Sequence, residues 1–176
     1  MRWLRLGFAL IKASFKNKIS PMDTASFSFS VWVTDVDVSV ANHAALLTIM
    51  ETGRLDFMVR TNFFKVAAKN KWFFPSQAIS VQFYRPLKVF QKAELQTKVS
   101  FVDEKWIYTQ HKIVRKGKVI AVSLAKNTIK KGRETVPTAE IMKALNIQKV
   151  PAEKHELIKT HELENAQMNE LFIDKW

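Results

Sequence analysis

One long helical pattern, over residues 42–69, constrains the fold of this chain more than any other feature. Its apolar residues recur at spacings of four, three and four, which places them in one stripe along a helix: Leu46, Met50, Gly53 and Phe57. A glycine inside a helix costs about 1 kcal/mol relative to alanine. Because Gly53 lies on the buried stripe, we expect the helix to approach another backbone closely there, and a sheet is the expected neighbour.

Strand patterns lie on both sides of this helix. Before it, ASFSFSVWVTD alternates polar residues with Phe27, Phe29, Val31 and Val33, which is typical of a strand with one buried face. After Pro75, four more segments have strand character: AISVQFYRP, AELQTKVSFV, WIYTQHKIV and VIAVSLAKNTI. Short turns connect the last three, which predicts an antiparallel meander. The order of elements predicts an α+β fold in which an antiparallel sheet wraps around one long central helix.

The first twenty residues have the pattern of a basic amphipathic helix. At 100° per residue, Arg2, Arg5, Lys12 and Lys16 fall within about 80° of one another, and apolar residues occupy most of the remaining circumference. Basic residues interrupt the apolar run, so it predicts neither a membrane-spanning helix nor a secretory signal peptide. Two interpretations stay open: a helix lying on an anionic membrane surface, or a helix docked on its own domain or on a partner subunit.

The net charge of the chain limits the classes of partner that it is expected to bind. The net charge is +12, there is no cysteine, and the basic excess lies before Pro137. This charge indicates nucleic acid, an anionic membrane or a phosphate-bearing small molecule as partner, although a basic surface also serves solubility alone. Nucleic acid is not expected, because the sequence has no zinc-finger spacing, helix-turn-helix signature or RNA-binding aromatic motif. The lack of cysteine excludes disulfides and thiolate nucleophiles and fits a reducing compartment.

The C-terminal segment is polar and follows a short helical pattern, TAEIMKALNI. His155 and His161 are six residues apart, which does not match the His-Glu-x-x-His spacing of a helical zinc site. With four histidines and no cysteine, we expect no bound metal. The segment is predicted to be a surface helix or partly disordered. The predicted division is an N-terminal amphipathic helix at residues 1–20, a central domain at 24–148 and a polar tail at 149–176.

Several blocks of the sequence, taken in order, resemble a known family. VWVTDVD, ANHAALLTIMETGRLDFM, FYRPLKVFQKAELQTKV and DEKWIYTQHKIVRKGKVIA are similar to motifs of the hotdog-fold acyl-CoA thioesterases, in the 4-hydroxybenzoyl-CoA thioesterase-like branch. The resemblance runs to about Leu145 and does not include the tail. It implies a hotdog fold, an acyl-CoA substrate hydrolysed to a free acid and CoA, no cofactor, and a homodimer or tetramer with sites at the interface.

The resemblance also implies roles for individual residues. The second carboxylate of the Asp-x-Asp motif, Asp37, matches the family's nucleophile or general base, although aspartates before a helix also cap or turn the chain. The helix start matches the N–H groups that polarise the thioester carbonyl, here those of Asn42 and His43. Other hotdog thioesterases use a helix carboxylate, which makes Glu51 the second catalytic candidate; it could equally pair with Arg54.

Arg85 and Lys88, in YRPLK, are the candidates for binding CoA phosphates, or else solvated surface residues. One departure from the family pattern bears on function: SVANH is one residue shorter than the family's turn and lacks its Gly-His. This departure favours an alternative, a non-catalytic acyl-CoA or lipid-binding hotdog protein at the membrane surface. We expect a cytoplasmic location, with peripheral association with the inner membrane left open.

Overall fold

The computed structural model describes residues 7, 11–148, 150 and 155–172. Five antiparallel strands form the main sheet, in the spatial order β1-β5-β6-β7-β4. Their bounds are Ala25–Ser30 for β1, Ser76–Phe83 for β4, Lys92–Val102 for β5, Ile107–Arg115 for β6 and Lys118–Asn127 for β7. Two ribbons pair β2 (Val36–Asp37) with β3 (Val40–Ala41), and β8 (Lys130–Lys131) with β9 (Glu134–Thr135). The predicted antiparallel meander is confirmed by the pairing of β5 with β6 and of β6 with β7.

Four longer helices accompany the sheet within the described residues. They are α1 (His43–Arg60), α2 (Phe63–Asn70), α3 (Thr138–Ala144) and α4 (Glu156–Phe172). The prediction of one continuous helix over residues 42–69 is wrong, because Asn62 adopts a left-handed conformation with a φ of 64° and separates α1 from α2. Asparagine tolerates this conformation better than most residues because its short polar side chain can hydrogen-bond locally.

The helix α1 packs on one face of the sheet, called the inner face below. Leu95, Ile113 and Ala121 are cross-strand neighbours on this face, and they share a core cluster with Leu46, Ile49 and Met50 of α1. A Cβ added at Gly53 would lie 2.2 Å from Leu95 Cδ2 and 3.1 Å from Thr97 Oγ1. The expected close approach of α1 to the sheet at Gly53 is confirmed, although the nearest atoms belong to side chains of β5. With the helix seated on the antiparallel sheet, the α+β hotdog fold is confirmed.

The C-terminal helix α4 covers the opposite, outer face of the sheet. The buried cluster there comprises Phe101, Tyr108, Leu124 and Ile158. Tyr108 OH donates a hydrogen bond to Glu162 Oε1 at 2.5 Å, and Ser80 Oγ lies 2.7 Å from His161 Nδ1. Burial, together with Glu162, raises the pKa of Tyr108, so its hydroxyl remains a donor. This segment was predicted to be a surface helix or partly disordered. The structure has a helix over residues 156–172, and this helix is docked on the sheet.

The N-terminal segment is helical over residues 11–14 and contacts the domain. Lys16 Nζ lies 2.6 Å from Oδ1 of Asp56, a carboxylate of α1 that is 1% exposed. Arg60 Nη1 lies 3.6 Å from the second oxygen of the same carboxylate. Lys16 therefore neutralises a buried charge of its own domain. Of the other predicted cations, Lys12 is exposed, and Arg2 and Arg5 lie outside the described residues.

Candidate functional site

The Asp-x-Asp motif begins in a 3₁₀ turn (Val33–Asp35) and ends in β2 of the β2–β3 hairpin, just before α1. Its two carboxylates have different surroundings. Asp35 is buried and accepts a hydrogen bond from the Trp32 N–H at 2.8 Å. Asp37 pairs with Val40 across the hairpin and is exposed. Asp35 therefore fixes the loop, and Asp37 is the member of the pair that a ligand can reach.

Asn42 connects Asp37 to the start of α1. Its Oδ1 accepts a hydrogen bond from the Ala45 N–H at 2.8 Å, which caps the helix. Its Nδ2 donates to Asp37 Oδ1 at 3.1 Å. One amide side chain thus caps the helix and orients the exposed carboxylate beside the helix N-terminus.

The helix N-terminus supplies N–H donors, but the predicted pair needs a correction. The Asn42 N–H donates to the Asp35 carbonyl oxygen at 2.9 Å, so it is occupied and cannot serve a ligand. Within the described residues, the N–H groups of His43 and Ala44 meet no acceptor. These first N–H groups of a helix carry its partial positive charge. The His43 ring is exposed and lies 4.6 Å from the Phe83 ring, centroid to centroid, so α1 begins above the end of β4.

A groove of about 480 Å³ runs between α1 and the inner face, lined from the sheet by Ile79, His111 and Ser123, among others. His111 Nδ1 lies 3.0 Å from Thr97 Oγ1. Burial, and to a smaller extent nearby Arg54, lowers the pKa of His111 to about 4, so the ring is neutral near pH 7. Ser123 Oγ is buried and has no hydrogen-bond partner among the described residues. The floor of the groove therefore offers polar groups to a molecule bound there.

Glu51 and Arg54 form an ion pair in the wall of this groove. Arg54 Nη2 lies 2.5 Å from Glu51 Oε1, and Arg54 Nε lies 3.0 Å from Glu51 Oε2. A third bond runs from Arg54 Nη1 to the Phe74 carbonyl oxygen at 3.0 Å. The pairing expected from their spacing is confirmed. Both oxygens of the second catalytic candidate are thus engaged by a guanidinium, whereas Asp37 accepts a single amide hydrogen bond at its Oδ1.

Arg54 also lines an apolar cavity of about 80 Å³, which lies next to the C-terminal half of α1. Phe57, Met58 and Ile107 are among the residues that line this cavity. The side chain of Arg54, held by three hydrogen bonds, therefore lines both the groove and the cavity.

Comparison with known proteins decides the family. Residues 31–150 match the family model described as the thioesterase-like superfamily, which spans the hairpin, α1 and all of β4 to β7. The chain belongs to the thioesterase-like superfamily. Among curated proteins, none matches its sequence.

Solved thioesterases have the same fold as this thioesterase-like chain. YbaW, a probable thioesterase from Escherichia coli, is 18% identical with a TM-score of 0.64, over 69% of this chain and 96% of that chain. A probable thioesterase from Bartonella henselae is 21% identical with a TM-score of 0.59, over 65% and 97%. A 1,4-dihydroxy-2-naphthoyl-CoA thioesterase from Synechocystis is 11% identical with a TM-score of 0.61, over 74% and 100%. At these identities the likeness establishes the hotdog fold.

The two predicted CoA-binding residues of this thioesterase-like chain occupy different positions around the hairpin. The backbone of Lys88 forms an isolated bridge with Val40, directly opposite Asp37 in the hairpin, and its side chain is exposed. Arg85 is exposed at the end of β4 and donates from Nη1 to the Val119 carbonyl oxygen at 2.7 Å. Lys88 is therefore close to the candidate carboxylate in the fold, and Arg85 is held at the neighbouring sheet edge.

The groove floor is the part of the site that the sequence did not predict. His111 and Ser123 are paired across β6 and β7; at alternate positions Ser123 lies between Ala121 and Ala125, and His111 lies between Thr109 and Ile113. This pattern of polar residues within the strands was the available signal. It indicates a binding site only once the sheet register is known to place both side chains beneath α1. Among the described residues, no helix is long and apolar enough to cross a bilayer, and no group of side chains has the composition of a metal site.

Proposed function

We propose that the chain hydrolyses acyl-CoA thioesters, with Asp37 as the catalytic carboxylate and the His43 and Ala44 N–H groups as the oxyanion site. The observation that carries this proposal is the bridge made by Asn42, which holds Asp37 beside unpaired donors at the N-terminus of α1. A positioned carboxylate next to preorganised N–H donors is a suitable arrangement for acyl transfer.

In the proposed reaction Asp37 acts as general base. It takes a proton from water as the water oxygen bonds to the thioester carbonyl carbon. The carbonyl oxygen becomes negative and is stabilised by the two N–H groups. The carbon–sulfur bond then breaks, the carbonyl forms again in the free acid, and the proton held by Asp37 passes to the departing CoA sulfur. If Asp37 instead attacks the carbon directly, the carbon–sulfur bond breaks and the CoA thiolate leaves as an anhydride forms. Water then hydrolyses the anhydride to the free acid and the Asp37 carboxylate, and the proton released passes to the thiolate.

The surroundings of Asp37 support a CoA ester as substrate. Lys88 and Arg85 offer positive charge for the CoA phosphates at the mouth of the site. The groove beneath α1 offers space for the acyl group, and Arg54 would set its length because that side chain lines both the groove and the apolar cavity.

A homodimer is part of the proposal. β4 is an edge strand of the sheet and pairs with β7 on one side. Its inner-face residues Ile79 and Phe83 are 50% and 40% exposed, although they point toward the groove and the start of α1. An open edge beside exposed apolar side chains favours pairing with a second copy of the chain. The partner would then complete the groove wall.

The test is hydrolysis of an acyl-CoA panel by Asp37→Asn. The asparagine keeps the acceptor for Asn42 Nδ2 but has no negative charge, so we expect a loss of about 100-fold or more in kcat. Glu104→Gln removes an exposed carboxylate elsewhere and should leave the rate unchanged. If Glu51→Gln abolishes turnover while Asp37→Asn retains it, the assignment of Asp37 is refuted.

A second candidate function is non-catalytic binding of acyl-CoA or lipid. It is favoured by the short turn SVANH, which directly follows Val38, a residue in a left-handed conformation with a φ of 60°. A displacement of about 1 Å at a catalytic group can lower a rate by about 100-fold. Saturable binding of several acyl-CoAs, without turnover of any of them by the wild type, would select this candidate.

A further inference from the structure

Four large apolar side chains are exposed together at the end of the sheet where α1 begins. Trp32, Val33, Val38 and Phe90 have exposed fractions of 56%, 62%, 105% and 67%. Backbone hydrogen bonds join the loops that carry them, from the Phe90 N–H to the Val31 carbonyl at 2.8 Å and from the Val89 N–H to the Ser39 carbonyl at 3.3 Å. We call these four residues the loop-end patch. It contributes almost nothing to the core and so requires another explanation.

Two residues of the loop-end patch also have an unfavourable backbone conformation. Val38 and Phe90 have φ values of 60° and 62°. Bulky and β-branched residues are rare in the left-handed region, where glycine or asparagine is preferred. An apolar residue that is both strained and exposed gains no stability from burial to offset the strain. Such positions concentrate at functional sites, where a ligand supplies the missing contacts.

Cations border the loop-end patch. Lys92 pairs with Ser30 across β5 and β1, and Arg115 pairs with Lys118 at the β6–β7 turn, which also carries Lys116. A surface depression brings Trp32 together with Lys92, Arg115 and Lys116. Glu94 in the same depression is engaged by Ser26 and Gln96. The rim of the patch near Trp32 therefore carries three cations against one carboxylate.

We propose that the loop-end patch and its cationic rim bind the surface of an anionic lipid bilayer. Trp32, Val38 and Phe90 enter the interface, and the lysine and arginine side chains contact the lipid headgroups. A bilayer suits this surface because exposed apolar side chains bordered by lysine and arginine match the apolar interface and the anionic headgroups of such a membrane. Val38 is adjacent to Asp37, so docking would bring the mouth of the candidate site to the membrane. The proposal does not depend on the proposed hydrolysis.

The test is co-sedimentation of the full chain with vesicles of phosphatidylcholine containing one third phosphatidylglycerol. We expect binding to these vesicles, weak binding to pure phosphatidylcholine, and loss of binding at high salt. The double variant Val38→Asn, Phe90→Asn should bind about tenfold more weakly or worse, because the inserted apolar area is removed. Asparagine suits the left-handed conformation, so the variant should melt no lower than the wild type. Lys116→Gln and Lys118→Gln should each weaken binding about fivefold.

The matched control is Leu163→Gln, Met168→Gln, which removes two exposed apolar side chains from α4 and should bind as the wild type does. Failure of the wild type to sediment would overturn the proposal. The proposal would also be overturned if the double variant at positions 38 and 90 binds vesicles normally while removal of residues 1–10 abolishes binding. If the wild type does not bind vesicles but self-associates, and the double variant at positions 38 and 90 does not self-associate, the patch instead joins copies of the chain.

Discussion

Gly53→Ala is a direct test of how α1 is seated on the sheet. On an exposed helix this substitution would stabilise the fold by about 1 kcal/mol. Here the new Cβ would lie 2.2 Å from Leu95 Cδ2, 3.0 Å from Leu95 Cγ and 3.1 Å from Thr97 Oγ1. Carbon atoms in contact are normally about 3.5–4.0 Å apart. Leu95 has no exposed surface and cannot rotate away without displacing other core side chains.

Overpacking of this kind costs about 1–3 kcal/mol, so it outweighs the gain in helix propensity. We expect a net loss of up to about 2 kcal/mol in the free energy of unfolding. Urea denaturation followed by circular dichroism measures this change. Thr48→Ala, on a partly exposed position of α1, is the control and should stabilise by a few tenths of a kcal/mol.

A double-mutant cycle isolates the contact itself. Leu95→Ala alone should cost about 2–5 kcal/mol through the cavity it leaves. The new methyl group at position 53 would occupy part of that cavity, so the double variant should be more stable than the sum of the single changes by about 1–2 kcal/mol. If Gly53→Ala stabilises the protein, or the two changes are additive, the packing of α1 against β5 is refuted.

Two further predictions concern buried charge. Burial lowers the pKa of His111 from 6.5 to about 4. Between these two pH values the unfolded chain binds a proton at this histidine more readily than the folded chain does, so the free energy of unfolding falls as the pH falls. The loss begins below about pH 6.5 and reaches about 3 kcal/mol at pH 4. His111→Gln should remove this pH dependence from the free energy of unfolding, and an unchanged profile would contradict the assignment. Lys16→Gln should cost about 1–3 kcal/mol because it leaves the buried Asp56 carboxylate with Arg60 alone; Lys12→Gln, at an exposed position, is its control, and equal stability of the two variants would refute a structural role for Lys16.

Part of the candidate site was readable from the sequence. Asp37, Asn42 and His43 were singled out by the resemblance to the hotdog thioesterases, and the structure joins the first two through one hydrogen bond. The sequence could not show that the Asn42 N–H is already hydrogen-bonded. Its acceptor is the carbonyl oxygen of Asp35, seven residues earlier across the β2–β3 hairpin, and the shape of this hairpin depends on the tertiary fold. The ion pair of Glu51 with Arg54 was readable, because residues three apart on a helix are neighbours in any fold.

The sequence by itself determined the features that depend on nearby residues. The period of apolar residues set the order of strands and helices, the buried stripe of α1 and the position of Gly53 on it. Each of these is fixed by side-chain spacing within one element.

Only the tertiary structure decided the features that depend on partners far along the chain. A register shift between Val99 and Phe101 turns Phe101 to the outer face, where α4 covers it, although simple alternation placed it with Leu95. Lys16 finds Asp56 forty residues away. His111 and Ser123 share the groove floor because two strands pair in one register. These contacts follow from which surfaces can be buried together, and no local pattern specifies that choice.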